Sequence, residues 1–180
     1  IKKQANLLAA RLNDLGLMSS AWLIRESEIQ LIHLIDSGGF GQVWYASLRG
    51  KYKVAVKRIL HSSHIDIESD DEIRFLQRVR HPRLVMFLGC GYMKERKNRE
   101  RSVFLVLEYC DEGNLEKYIH NSCRGNLSWE TKISLLYDMA EGMEYLHCVH
   151  GSIHRDLKTA NCLLSKEAGV GVSALKSVLR

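Results

Sequence analysis

The chain has 180 residues, with 26 Lys and Arg against 21 Asp and Glu and a formal net charge of +5. Hydrophobic residues make up 46% and charged residues 26%, with a single proline. These values exclude a disordered chain, a collagen-like repeat and a disulfide miniprotein, and they allow one ordinary domain or two small lobes.

No apolar run approaches the roughly 20 residues of a membrane helix. The start, Ile1-Lys2-Lys3-Gln4, lacks the apolar stretch and cleavage site of a signal peptide. The basic balance raises nucleic acid as a partner. The densest cluster, Lys94, Arg96, Lys97, Arg99 and Arg101, is interrupted by Glu95 and Glu100 and has no interleaved aromatic. It is expected to be a solvated loop between two strands, and no nucleic-acid partner is expected. Cys90, Cys110, Cys123, Cys148 and Cys162 form no C-x-x-C pair, which argues against a zinc site. Their odd number reads as reduced thiols in a cytoplasmic protein.

In chain order, Ile1, Ala5, Leu8, Leu12 and Leu15 predict an amphipathic helix. Ile29, Leu31 and Leu34 begin a strand, and Gln42–Ala46 and Lys53–Lys57 predict two more, joined by turns at Ser37–Gly41 and Arg49-Gly50. A helix through Glu72 carries Leu76 and Val79 on one face and stops at His81-Pro82. Strands are expected at Leu84–Leu88 and Val103–Leu107. Beyond Asn114 the pattern is mainly helical. Trp129, Ile133, Leu136, Ala140 and Met143 mark one long helix, Trp129–Cys148, capped by Ser128. A sheet-rich first half and a helix-rich second half indicate an α+β, two-lobed architecture.

Four segments carry chemistry. Ser37-Gly38-Gly39-Phe40-Gly41-Gln42-Val43 joins strand to strand, unlike a dinucleotide fingerprint, whose glycines open a helix; such a turn lets backbone N–H groups approach a phosphate. In Val54-Ala55-Val56-Lys57 the apolar neighbours bury the stem of Lys57. Glu72, on the next helix, is a candidate partner, because an unpaired desolvated ammonium is unfavourable. Ile153-His154-Arg155-Asp156-Leu157-Lys158-Thr159-Ala160-Asn161 packs a carboxylate, a lysine and an amide into one short loop. Read alone, each of the first three also fits an ordinary hairpin, edge lysine or helix glutamate.

Together and in this order they resemble the protein kinase family, with its glycine loop, V-A-I-K lysine and H-R-D-L-x-x-x-N loop. His81-Pro82-Arg83-Leu84-Val85 and Leu107-Glu108-Tyr109-Cys110 also resemble it. Lys158-Thr159-Ala160-Asn161 and the ending Asn161-Cys162-Leu163-Leu164 are similar to serine/threonine kinases of the tyrosine-kinase-like group. The resemblance implies ATP-dependent phosphoryl transfer to Ser or Thr hydroxyls of a protein substrate, with Tyr as an alternative acceptor, and ATP and Mg²⁺ as cofactors. Gly38, Gly39, Phe40 and Gly41 would cover the phosphates. Val43 and Ala55 would lie on one side of adenine and Leu163 on the other, with backbone groups of Glu108 and Cys110 at its edge and Leu107 as gatekeeper. Lys57, steadied by Glu72, would hold phosphates. Asp156 would orient the substrate hydroxyl, Lys158 would offset γ-phosphate charge and Asn161 would hold Mg²⁺.

The implied organisation is a helical extension (1–27), a complete small lobe of antiparallel sheet plus one helix (28–107), a hinge (108–113), a partial, mainly helical large lobe with the catalytic loop (114–165) and a divergent tail (166–180). Two departures stand out. Asp36 replaces the first glycine of the loop, and its charge should weaken nucleotide binding. After the strand-like Val170–Ser173, Ala174-Leu175-Lys176 stands where the family has D-F-G, and Ala174 cannot ligate a metal. The expectation is therefore a kinase-derived chain that is inactive or nearly so alone, with a kinase-like nucleotide- or protein-binding module as the alternative. The helix stripe Ile133, Leu136, Ala140 and Met143 would be partly uncovered, open to a helper protein or further kinase segment.

Overall fold

Residues 22–38, 41–59, 67–94, 101–120, 127–165 and 169–172 are described by the structure, a computed structural model. The expected helix at Ile1–Leu15, Cys123 and the residues 173–180 lie outside them. The chain divides into two units: Ile1–Arg74 with Phe87–Tyr109, and Phe75–Met86 with Cys110–Arg180.

In the first unit, alternating side chains build a five-stranded antiparallel sheet from β1 (Ile29–Gly38), β2 (Gly41–Leu48), β3 (Tyr52–Ile59), β4 (Phe87–Lys94) and β5 (Arg101–Glu108), in the order β1-β2-β3-β5-β4. Ala46, Val54, Val56, Phe104 and Val106 are fully buried and pack with Ile24, Met93 and Trp44 on one face. Period-two alternation sends Val43, Tyr45, Ala55, Lys57, Leu105 and Leu107 to the other. The β2–β3 turn closes with Lys51 N–H donating to Leu48 O at 3.1 Å, and Arg49 takes a positive φ of 55°.

The fourth strand departs from the sequence expectation. Leu84–Met86 are not in the strand, which starts at Phe87 and runs through two glycines to Lys94. Leu84 instead packs in the core of the second unit. The glycines do not break the strand because neighbours fill their space. A Cβ at Gly91 would collide with Ile24 O and the ring of Phe104. β4 and β5 pair through Lys94 and Arg101, and residues 95–100, which carry the rest of the basic cluster, lie outside the described residues.

α1 (Ile67–Arg78) buries Ile73 and Leu76 and ends before Pro82; buried Val79 follows it directly. In the second unit Val79, Leu84, Leu115, Leu146, Cys162 and Leu164 form the core. α2 (Leu115–His120) precedes α3 (Trp129–Glu144), which continues as a wider π-type turn over Tyr145–Val149. Ser128 caps α3, its Oγ accepting from Thr131 N–H at 3.2 Å. Leu135, Met139 and Met143 pack on the core, whereas Trp129, Ile133, Leu136 and Tyr137 are exposed. Of the stripe read from the sequence, only Met143 packs inward. Arg83 ties the preceding segment to α3, with Nη2 at 2.9 Å from Asp138 and Nε at 3.2 Å from Glu141. β6 (Cys162–Ser165) and β7 (Gly169–Val172) form an antiparallel pair. Among the described residues no helix is long and apolar enough to cross a membrane.

Candidate active site

The site residues read from the sequence fall in both units. In the first, strand register aligns them. Val43 lies opposite Lys57 and Lys57 opposite Leu105; Tyr45 lies opposite Ala55 and Ala55 opposite Leu107. Directly opposed residues share a face, so Val43, Ala55, Lys57 and Leu107 line one side of the sheet. Lys57 is only 6% exposed. A lysine this deep in a sheet keeps its stem against apolar neighbours and needs a counter-charge for its head. The side chain of Glu72 lies outside the described residues, as do Gly39 and Phe40.

The two described glycines of the loop differ. Gly41 has φ +121°, and a Cβ there would strike Arg58 O, so the hairpin itself requires this glycine. A Cβ at Gly38 would meet nothing within 4 Å. The sheet therefore does not demand a glycine at Gly38, and the open space suits close approach by a ligand.

In the second unit the H-R-D segment is built as a strained turn. Asp156 N–H donates to His154 O at 2.8 Å across Arg155, whose φ is 61°. An i to i+2 bond around a positive φ is a rare, strained geometry, and such strain concentrates at functional sites. His154 anchors it: the ring is 2% exposed, and Nδ1 also lies 3.3 Å from Asp156 N. Sequence reading placed His154 in the motif without a role. Its signal was position alone.

Asn161 then holds Asp156. Its Nδ2 donates to Asp156 O at 2.7 Å and to Oδ2 at 2.9 Å. Lys158 Nζ lies 3.4 Å from Oδ1 in a partly exposed pair, a weak contact readily exchanged for a ligand's. Burial pushes the Cys162 thiol upward, so it stays neutral and donates to Lys158 O at 3.3 Å. Leu163 follows in β6 and bridges to Asn114, while Leu164 N–H donates to Gly113 O at 2.8 Å. Glu108 pairs with Val54 at the end of β5, and Cys110 O accepts from Gly113 N–H at 3.4 Å. The structure thus gathers Asp156, Lys158 and Asn161 in one unit and aligns Val43, Ala55, Lys57 and Leu107 in the other.

The donor set fits a hard cation in part. The amide bonds of Asn161 leave Oδ1 as an oxygen ligand beside the Asp156 carboxylate. Among the described residues no cluster of three His, Cys, Asp or Glu could hold a metal, so a Mg²⁺ ion there would need phosphate and water oxygens to complete its shell.

Comparison with known proteins agrees with these features. Residues 29–175 match the family described as protein tyrosine and serine/threonine kinase. The chain is 39% identical over 137 residues to LysM domain receptor-like kinase 10 of Oryza sativa subsp. japonica, covering 75% of this chain and 21% of that protein. It is 37% identical over 155 residues to chitin elicitor receptor kinase 1 of Arabidopsis thaliana, covering 80% and 23%. It is also 33% identical over 161 residues to cytoplasmic tyrosine-protein kinase BMX of Homo sapiens, covering 89% and 23%. The chain spans under a quarter of the length of these relatives. With a glycine-loop hairpin, a buried strand lysine and an aspartate held by the loop asparagine, the chain belongs to the protein tyrosine and serine/threonine kinase family.

Proposed function

We propose that this chain carries the ATP-binding and phosphoryl-transfer residues of a cytoplasmic protein kinase that acts on Ser or Thr hydroxyls of proteins. The observation that carries the reading is the Asp156–Asn161 pair. Two bonds from one amide, one to the Asp156 backbone O and one to Oδ2, hold the residue that would orient the substrate hydroxyl and leave an amide oxygen for Mg²⁺. Lys57 would hold the α- and β-phosphates, and Lys158 would leave Asp156 to offset charge on the γ-phosphate. Val43, Ala55, Leu107 and Leu163 would enclose adenine, with backbone groups of Glu108 and Cys110 at its edge. When bound, Mg²⁺ supplies charge neutralisation on the phosphates, and positioning by the protein does the rest. Lys158-Thr159-Ala160-Asn161 supports the Ser/Thr preference.

Ala174 in place of the D-F-G aspartate supports low turnover by the 180-residue chain, and hence a second reading as a nucleotide- or protein-binding module. One experiment separates the readings. Mg-ATP should raise the melting temperature, because a ligand that binds only the folded state stabilises it, and Lys57→Met should abolish that shift. Phosphorylation of a generic basic protein should be near background. Turnover lost on Asp156→Ala would show an active enzyme, and the absence of any shift would remove nucleotide binding.

A further inference from the structure

Asp36 stands where the sheet gives it a charge-selecting position; this inference rests on the nucleotide-binding reading above. Leu34 lies opposite Trp44, which packs on the core face. Strict alternation would return Asp36 to that face. A bulge between Leu34 and Asp36 changes the register, so that Asp36 lies opposite Val43 and Val43 opposite Lys57. Bulges re-aim side chains in this way. The result is a row of Asp36, Val43 and Lys57 on the side of the sheet that carries the candidate nucleotide residues. Two strand spacings, about 10 Å, separate its ends.

The carboxylate is also fixed locally. Asp36 is exposed, and its Oδ1 accepts from Ser37 N–H at 2.9 Å. The next residue is Gly38, beside which the space is open. A phosphate chain entering there meets a negative group at one end of the row and a buried lysine at the other.

We propose that Asp36 selects against uncompensated phosphate charge, weakening free ATP most, metal-bound ATP less and adenosine not at all. Free ATP carries the largest negative charge, its magnesium complex less and adenosine none. Repulsion from Asp36 falls in the same order. At an exposed strand edge the effect is moderated by water and salt.

The test is calorimetric binding of ATP in chelator, Mg-ATP and adenosine to the 180-residue chain and to Asp36→Asn, whose amide oxygen can still accept from Ser37 N–H. Asp36→Asn should tighten free ATP about three- to tenfold and Mg-ATP about twofold, and should leave adenosine within about twofold. The gain for free ATP should shrink as salt rises. Equal changes for all three ligands, or none, would overturn the proposal. So would a gain with Asp36→Gly that is absent with Asp36→Asn, because loop geometry rather than charge would then set affinity. If the unsubstituted chain binds none of the three, nucleotide binding itself fails and this inference goes with it.

Discussion

Arg25 and Arg49 converge on one carboxylate. Glu28 Oε2 accepts from Arg25 N–H at 2.9 Å, and Oε1 accepts from Arg49 Nε at 2.8 Å. The Arg25 backbone bond first, and the Arg49 side chain second, lower the Glu28 carboxyl from 4.5 to about 2. A group depressed in the folded state contributes stability above its unfolded value and loses that contribution as pH falls through its folded value. Acid unfolding should therefore steepen between about pH 4.5 and 2, and Glu28→Gln should flatten that limb; acid titration followed by circular dichroism checks this. Cysteine reactivity follows the same logic of environment. Cys90 is 1% exposed, and burial raises it to about 11, whereas Cys148 is exposed. At neutral pH a maleimide should label Cys148 within minutes and leave Cys90 unmodified until the chain unfolds, as peptide mass mapping would show.

At the scale of elements, the glycines of β4 and the two faces of α3 carry separable consequences. Gly91→Ala drives a methyl group into Ile24 O and Phe104, and overpacking of this kind costs about 1–3 kcal/mol. In the second unit Leu146 is fully buried, so Leu146→Ala should cost about 2–5 kcal/mol. Ile133→Glu, on the exposed side of α3, should stay within about 0.5 kcal/mol. Urea melts of the three variants test this ranking. The sequence stripe pointed to Ile133 and Leu136 as the marks of the helix, and the structure places Leu135 and Met139 on the core instead. Both rows are apolar, and periodicity cannot choose between two apolar rows on one helix.

For the whole molecule, net charge and exposed apolar surface oppose each other. The +5 charge favours separation of copies, while Trp129, Ile133, Leu136 and Tyr137 present apolar surface. Self-association should rise with salt as the charge is screened, and Ile133→Glu with Leu136→Glu should reduce it at every salt concentration; sedimentation velocity reads both. Much of this molecule was legible in its sequence. The three-strand meander, the stop before Pro82, the Ser128 cap and the order of kinase motifs depend on residues near one another in the chain, where local propensity and spacing act directly. Three features needed the tertiary structure. β4 persists through Gly89 and Gly91 because Ile24 and Phe104, distant in sequence, occupy the space beside them. Asp156 is held in place by His154, Asn161 and a strained Arg155, a geometry that the motif letters do not contain. Asp36 faces the Lys57 row only because a bulge shifts strand pairing. The sequence by itself determined which chemical groups are present and in what order. Only long-range packing and register decided which of them share a face, because a one-residue change in pairing turns a side chain from core to site without altering a letter.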